Sequence, residues 1–179
     1  NTLQKVPSYL NTESAKRKIL ITTADKQLKF DPTQYSLFLE ATCYNNLLKI
    51  IRSDLTTIES ALKGNTILSP EIEMMIFQLY EDKVPLKWLG SYLTTKKFSL
   101  YIADLIIRIE FFNKWINNGF TTSYFLSYFT NPNGFITSIK QKYSLDNKVS
   151  FNRVSIDYKV NNEDDDVKAT TKNGYIIKG

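Results

Sequence analysis

Four consecutive acids, Glu163-Asp164-Asp165-Asp166, and a second pair, Glu71 and Glu73, are the densest groups here that could bind a cation or move a proton. A hard divalent cation such as Ca²⁺ takes about six to eight oxygen ligands, and the loop that wraps it carries a D-x-D-x-D-G spacing that the acidic run lacks. That run reads as a solvated loop. Glu71 and Glu73 follow Ser69-Pro70, where the positive end of a helix dipole attracts acids whatever the function. The single Cys43 cannot close an internal disulfide, and its place inside a helical pattern predicts a small buried hydrophobe rather than a nucleophile. One thiol in 179 residues also suits a reducing compartment.

Histidine is absent, which removes Ser-His-Asp and Cys-His catalysis, the common zinc sites and His general-base chemistry. The glycines stand singly at 64, 90, 119, 134, 174 and 179, so neither a GxxxxGK loop nor a GxGxxG turn can be written. No catalytic, cofactor-binding or metal-binding residue is assigned, and the chain is expected to catalyse nothing itself. The net charge of +5 comes with short clusters at Lys16-Arg17-Lys18, Lys96-Lys97 and Lys140-Gln141-Lys142. They are scattered, and the aromatics lie at helical rather than base-stacking spacing, which disfavours nucleic acid. A free-standing basic helical module for RNA or a protein partner is the alternative reading. The longest apolar run, around 105–112, is interrupted by Arg108 and Glu110 and falls short of the roughly 20 residues that span a bilayer. No membrane partner is expected. Asn1 is neither a natural start nor part of a signal peptide, and the chain reads as an excised fragment.

The elements that carry these residues are mostly helical. Leu37, Ala41, Tyr44, Leu48, Ile51, Leu55, Ile58 and Leu62 alternate steps of four and three, predicting one helix over 34–63 that ends at Lys63-Gly64. Asp31-Pro32 marks its start, and a short helix is expected near 12–20. Ser69-Pro70-Glu71 opens a second helix to Tyr80, and Val84-Pro85 leads into a short segment with Trp88. A third helix is predicted over 98–117. It has Ile102, Leu105, Ile106, Ile109, Phe112 and Ile116 on one face and Leu100, Ala103, Ile107 and Phe111 on another, so it is expected to pack on two sides with Trp115 in the core. A short helix over 135–143 precedes a strand at 154–160 and a second at 175–177. The class is therefore α+β, mainly α: a helical bundle with a long N-terminal helix, then a small, truncated β part. Trp88 and Trp115 are expected to be core. The Tyr124, Phe125, Tyr128, Phe129 and Phe135 group, around the turn at Asn131-Pro132-Asn133-Gly134, is core with a surplus for docking a neighbouring domain.

The order of the motifs is more specific than any one of them. "YNNLLKIIRSDLTTIESALKG", "LSPEIE", "VPLKW", "ADLIIRIEFFNKWINNG", "SYFLSYFTNPNGFITSIKQ" and "NGYIIKG" together resemble the C-terminal region of dynein heavy chains over residues 35–179. Tyr44, Asn45, Arg52, Trp88, Asp104, Arg108, Trp115, Pro132 and Gly134 are among the matching positions. The resemblance implies that residues 1–34 end the sixth AAA+ module, that 35–145 are the helical part of the C-terminal domain, and that 146–179 begin a truncated β part. It further implies a non-catalytic domain that packs on the AAA+ ring of its own heavy chain and tunes a microtubule motor. ATP and Mg would belong to the parent motor, and the partners would be that ring, the microtubule and other dynein chains. The location implied is cytoplasm and cytoskeleton, with the Asn131-Pro132 turn and the acidic loop looking more like axonemal chains of a cilium or flagellum, and among them outer-arm ones. The sequence departs from the family pattern after Ser127, after Trp88 and at its end.

Overall fold

The computed structural model describes residues 6–22, 28–90, 94–119, 123–157 and 176–178. In sequence order they form α1 (Thr12–Arg17), β1 (Leu20–Thr22), β2 (Leu28–Phe30), α2 (Pro32–Leu62), α3 (Pro70–Tyr80), α4 (Phe98–Asn118), β3 (Ser123–Phe125), α5 (Pro132–Asn147) and β4 (Ile176–Lys178). Single 3-10 turns occupy Leu86–Gly90, Leu126–Tyr128 and Phe151–Arg153. The fold is mainly helical, as expected. Its described strands join only in pairs, β1 antiparallel to β2 and β3 parallel to β4.

Local chemistry explains the helix ends. Asp31 caps α2 by accepting the Thr33 and Gln34 amides on Oδ1 at 2.9 and 3.1 Å, and Gly64 beyond the other end takes φ +74°, which a residue without Cβ adopts freely. The predicted seam of α2 is buried from Leu37 to Ile58, but its last member, Leu62, is 70% exposed. Ser69 caps α3 through the Ile72 amide. Asn131 caps α5 by accepting the Gly134 amide at 2.9 Å, so this helix starts at Pro132 and reaches Asn147, longer than expected at both ends. α1 is shorter than expected and ends at Arg17.

The protein divides into two compact units. One comprises Asn1–Thr12 with Ala41–Asn117, and the other Glu13–Glu40 with Asn118–Gly179, so residues 1–34 are divided between the two. The core of the first contains Leu48, Ile51, Trp88, Tyr101, Phe112 and Trp115; that of the second contains Ala15, Leu37, Tyr124, Phe129 and Phe135.

Three expectations are corrected. Helix α4 buries one face and leaves most of the other open: Ile102, Leu105, Ile109, Phe112, Trp115 and Ile116 are buried and Ile106 half-buried, whereas Leu100 is 58% and Ile107 50% exposed. Apolar character did not bury the second face: Ala103 is exposed as well, and Phe111 is half-buried. Cys43 is exposed, because it lies two residues past Ala41 and so on the far side of the helix from the seam. Val154–Asp157 is not a strand; Ser155, Ile156 and Asp157 are exposed, so the period-two pattern has no face to bury. Residues 158–160 and the acidic run Glu163–Asp166 lie outside the described residues. The last predicted strand is found at Ile176–Lys178, paired with Ser123–Phe125 inside the aromatic stretch, where no strand was expected.

Candidate functional site

The aromatic turn is built on one buried acid. Glu40, on α2, accepts the Thr130 amide and hydroxyl on Oε2, both at 2.8 Å, and the Asn131 amide on Oε1 at 2.9 Å. That grip holds the loop before α5, and it sets the rings beside it. Phe135 stacks on Phe129 with centroids 4.3 Å apart and meets Tyr124 at 4.9 Å, and all three are buried. Phe125 and Tyr128 form their own stacked pair at 4.9 Å and are only half-buried. Of the five aromatics singled out for docking, then, three are core and two reach the surface. In the same unit Lys142 pairs with Asp31, whose Oδ1 caps α2, and Lys29 pairs with Asp146.

In the other unit a second acid of α2 plays the matching part. Trp88 Nε1 donates to Asp54 Oδ2 at 2.8 Å, Lys87 Nζ pairs with Asp54 Oδ1 at 2.6 Å, and the Tyr101 hydroxyl donates to the Trp88 carbonyl at 3.3 Å. Trp88 is fully buried and its ring lies 5.9 Å from that of Phe98. The segment before α1 is tied by Asn45, which exchanges two hydrogen bonds with the Leu10 backbone at 2.8 and 2.9 Å, and by Arg52, which donates to the Val6 and Pro7 carbonyls. Arg108 on α4 donates to Asp104 at 2.9 Å and to the Tyr44 hydroxyl at 3.3 Å, while Lys96 reaches the other Asp104 oxygen at 2.9 Å. Burial alone would raise the Asp104 pKa, but the bonds and charges of Lys96 and Arg108 outweigh it and hold the carboxyl below its ordinary value. Burial likewise works against the Arg108 charge, yet Tyr44 and Asp104 leave its pKa raised.

Neither Glu40 nor Asp54 was singled out from the sequence, although both leave a signal. Glu40 lies three residues after Leu37 and four before Tyr44, and Asp54 three after Ile51 and four before Ile58. An acid at the spacing of a buried seam has to find donors. The lysine clusters are partly engaged within the fold: Lys96 with Asp104, Lys142 with Asp31, and Lys140 over the Phe151 ring at 4.2 Å. Among the described residues no group of three or more Cys, Asp and Glu converges as a metal site, and no helix is long and apolar enough to cross a membrane.

This network uses the motif residues themselves: Asn45 and Arg52 of the long helix, Trp88 of the proline segment, Asp104 and Arg108 of α4. The family model for the C-terminal domain of dynein heavy chains matches residues 1–179. The protein belongs to that family. Dynein-1-beta heavy chain of the flagellar inner arm I1 complex from Chlamydomonas reinhardtii is 31% identical over 180 residues, covering 99% of this sequence and 4% of the relative. Dynein axonemal heavy chain 1 from Mus musculus is 29% identical, covering 100% and 4%, and dynein axonemal heavy chain 3 from the same organism is 26% identical, covering 99% and 4%. This dynein C-terminal domain thus spans about 4% of the length of the relatives it matches. Their names fit the axonemal side of the resemblance; the algal relative is named for an inner arm, which lends nothing to an outer-arm reading.

Proposed function

We propose that this dynein C-terminal domain packs on the AAA+ ring of its own heavy chain and tunes the motor's ATP-driven movement along microtubules, in the axoneme of a cilium or flagellum. The observation that carries this reading is the family match along the whole sequence. The geometry supports it: the motif residues build clamps that fix loops and leave Phe125 and Tyr128 stacked at the surface, an arrangement suited to presenting a rigid face. Such a domain biases the ring only through contacts that differ between ring states.

The test is deletion of residues 35–179 from the full-length motor. ATP turnover is expected to persist with altered basal rate, microtubule stimulation or stepping. Unchanged turnover, stepping and ring stability would refute the reading. A companion titration of the domain with Mg-ATP should give no saturable micromolar binding, and binding there would place nucleotide chemistry in this segment after all.

A further inference from the structure

Helix α3 is the one α-helix among the described residues without a buried side chain. Seven of its eleven residues are apolar or aromatic, a composition that normally belongs inside a protein. Met74, Phe77 and Tyr80 follow one another at steps of three and form a single ridge, exposed by 64%, 58% and 89%. Glu71 and Glu73 stand one turn before Met74 and Phe77 on that ridge, and Glu81 one turn after Phe77. Glu81 is paired with Lys83, while Glu71 and Glu73 have no ion-pair partner among the described residues. An acid-rimmed apolar ridge, in a protein of net charge +5, selects an apolar partner with a basic rim.

The size of the ridge decides where that partner comes from. Side chains of this kind bury about 150–250 Å² each, so the exposed parts of the three present roughly 400 Å². That is about half of the ~800 Å² per partner found in stable complexes between separate proteins. A tethered partner needs less, because a linker supplies an effective concentration of about millimolar. The relatives carry this domain as 4% of a single polypeptide, so tethered sequence is abundant in them. We propose that the α3 ridge seats a basic amphipathic helix from the same heavy chain outside residues 1–179. The inference rests on the packing reading above and names the surface and the chemistry of its cover.

The test places a benzophenone amino acid at Phe77 and, in a second protein, at Tyr128 of the full-length motor, followed by irradiation and peptide mass spectrometry. Position 77 is expected to cross-link to a peptide of the same polypeptide whose apolar residues recur every three or four positions beside Lys or Arg. Glu71→Lys with Glu73→Lys should lower that yield by about tenfold, and Glu71→Gln with Glu73→Gln by less. An adduct from 128 with none from 77 would overturn the α3 proposal and leave ring packing standing; no adduct within the same polypeptide from either position would overturn both. A cross-link from 77 to another polypeptide, or to a peptide of its own polypeptide lacking basic residues, would also overturn the proposal.

Discussion

Glu40 and Asp54 stand 14 residues apart on one helix and do the same work with different materials. Each is a buried carboxylate that fixes a loop remote in sequence, at Thr130-Asn131 in one unit and at Trp88 in the other. Glu40 is held by neutral donors, of which two are backbone amides and one a hydroxyl. Asp54 is held by the indole of a buried tryptophan and by Lys87, whose side chain is largely exposed. The contrast teaches where each clamp is vulnerable. Backbone donors cannot be mutated away, so the Glu40 grip breaks only at Glu40. The Asp54 grip breaks at Trp88, where packing and hydrogen bond coincide, and hardly at Lys87.

Breaking that contrast most strongly, Trp88→Ala should cost about 3–5 kcal/mol in urea unfolding, as large-to-small aromatic changes in cores do. Trp88→Phe keeps most of the ring and removes the Nε1 donor, so its cost should fall between those of Trp88→Ala and Lys87→Ala. A Trp88→Ala loss below about 1 kcal/mol would mean that the side chain does not hold the segment. Glu40→Ala comes next at about 2 kcal/mol, because it takes the acceptor from three part-buried donors, with Glu40→Gln about half that, since the amide keeps one acceptor and turns a donor toward another. If Thr130→Val matched Glu40→Ala, the backbone amides would be contributing nothing and the contrast would fail. Lys87→Ala should cost about 0–1 kcal/mol and shrink further in salt, as an exposed partner of an ion pair does.

Acid sharpens the comparison further, because a charge-held carboxylate responds to pH in a defined direction. With its pKa below the ordinary value of about 3.9, folded Asp104 stays ionised where the unfolded protein has already taken up a proton. Its contribution is complete above that ordinary value and is lost as pH falls through the depressed one. Unfolding free energy measured from pH 5 downward should therefore fall more steeply in the parent than in Asp104→Asn. Equal slopes would mean that Lys96 and Arg108 do not favour the charged form. Smallest of all, Leu100→Ser on the exposed stripe of α4 should change stability by no more than about 0.5 kcal/mol.

Much of the helical scaffold was legible because its signals are local. The α2 seam, the Ser69-Pro70 start and the α4 face were each read from spacing and capping within a few residues, and the structure reproduces them. What failed required knowing the neighbours. Leu100 and Ile107 are as apolar as Leu105 and Ile109, and only packing separates the exposed pair from the buried one. The alternation at Val154–Asp157 resembles a strand but pairs with none of the described residues, while Ser123–Phe125 becomes a strand through Ile176–Lys178, about 50 residues away. Of the docking group, Phe125 and Tyr128 differ from Tyr124, Phe129 and Phe135 in burial and not in type.

Residue type and spacing alone were enough to place the ends of α2, α3 and α4, though not those of α1 and α5, and to show that the Cys43 thiol has no disulfide partner within these 179 residues and which family the order of motifs resembles. These follow from residue type and spacing, which act over a turn or two of backbone. Tertiary structure decided which apolar faces are covered, which lysines are held in ion pairs, and that Glu40 and Asp54 are buried anchors. A carboxylate is too costly to bury until donors from distant segments converge on it, and that convergence, at Thr130-Asn131 and at Trp88, is a property of the folded protein alone.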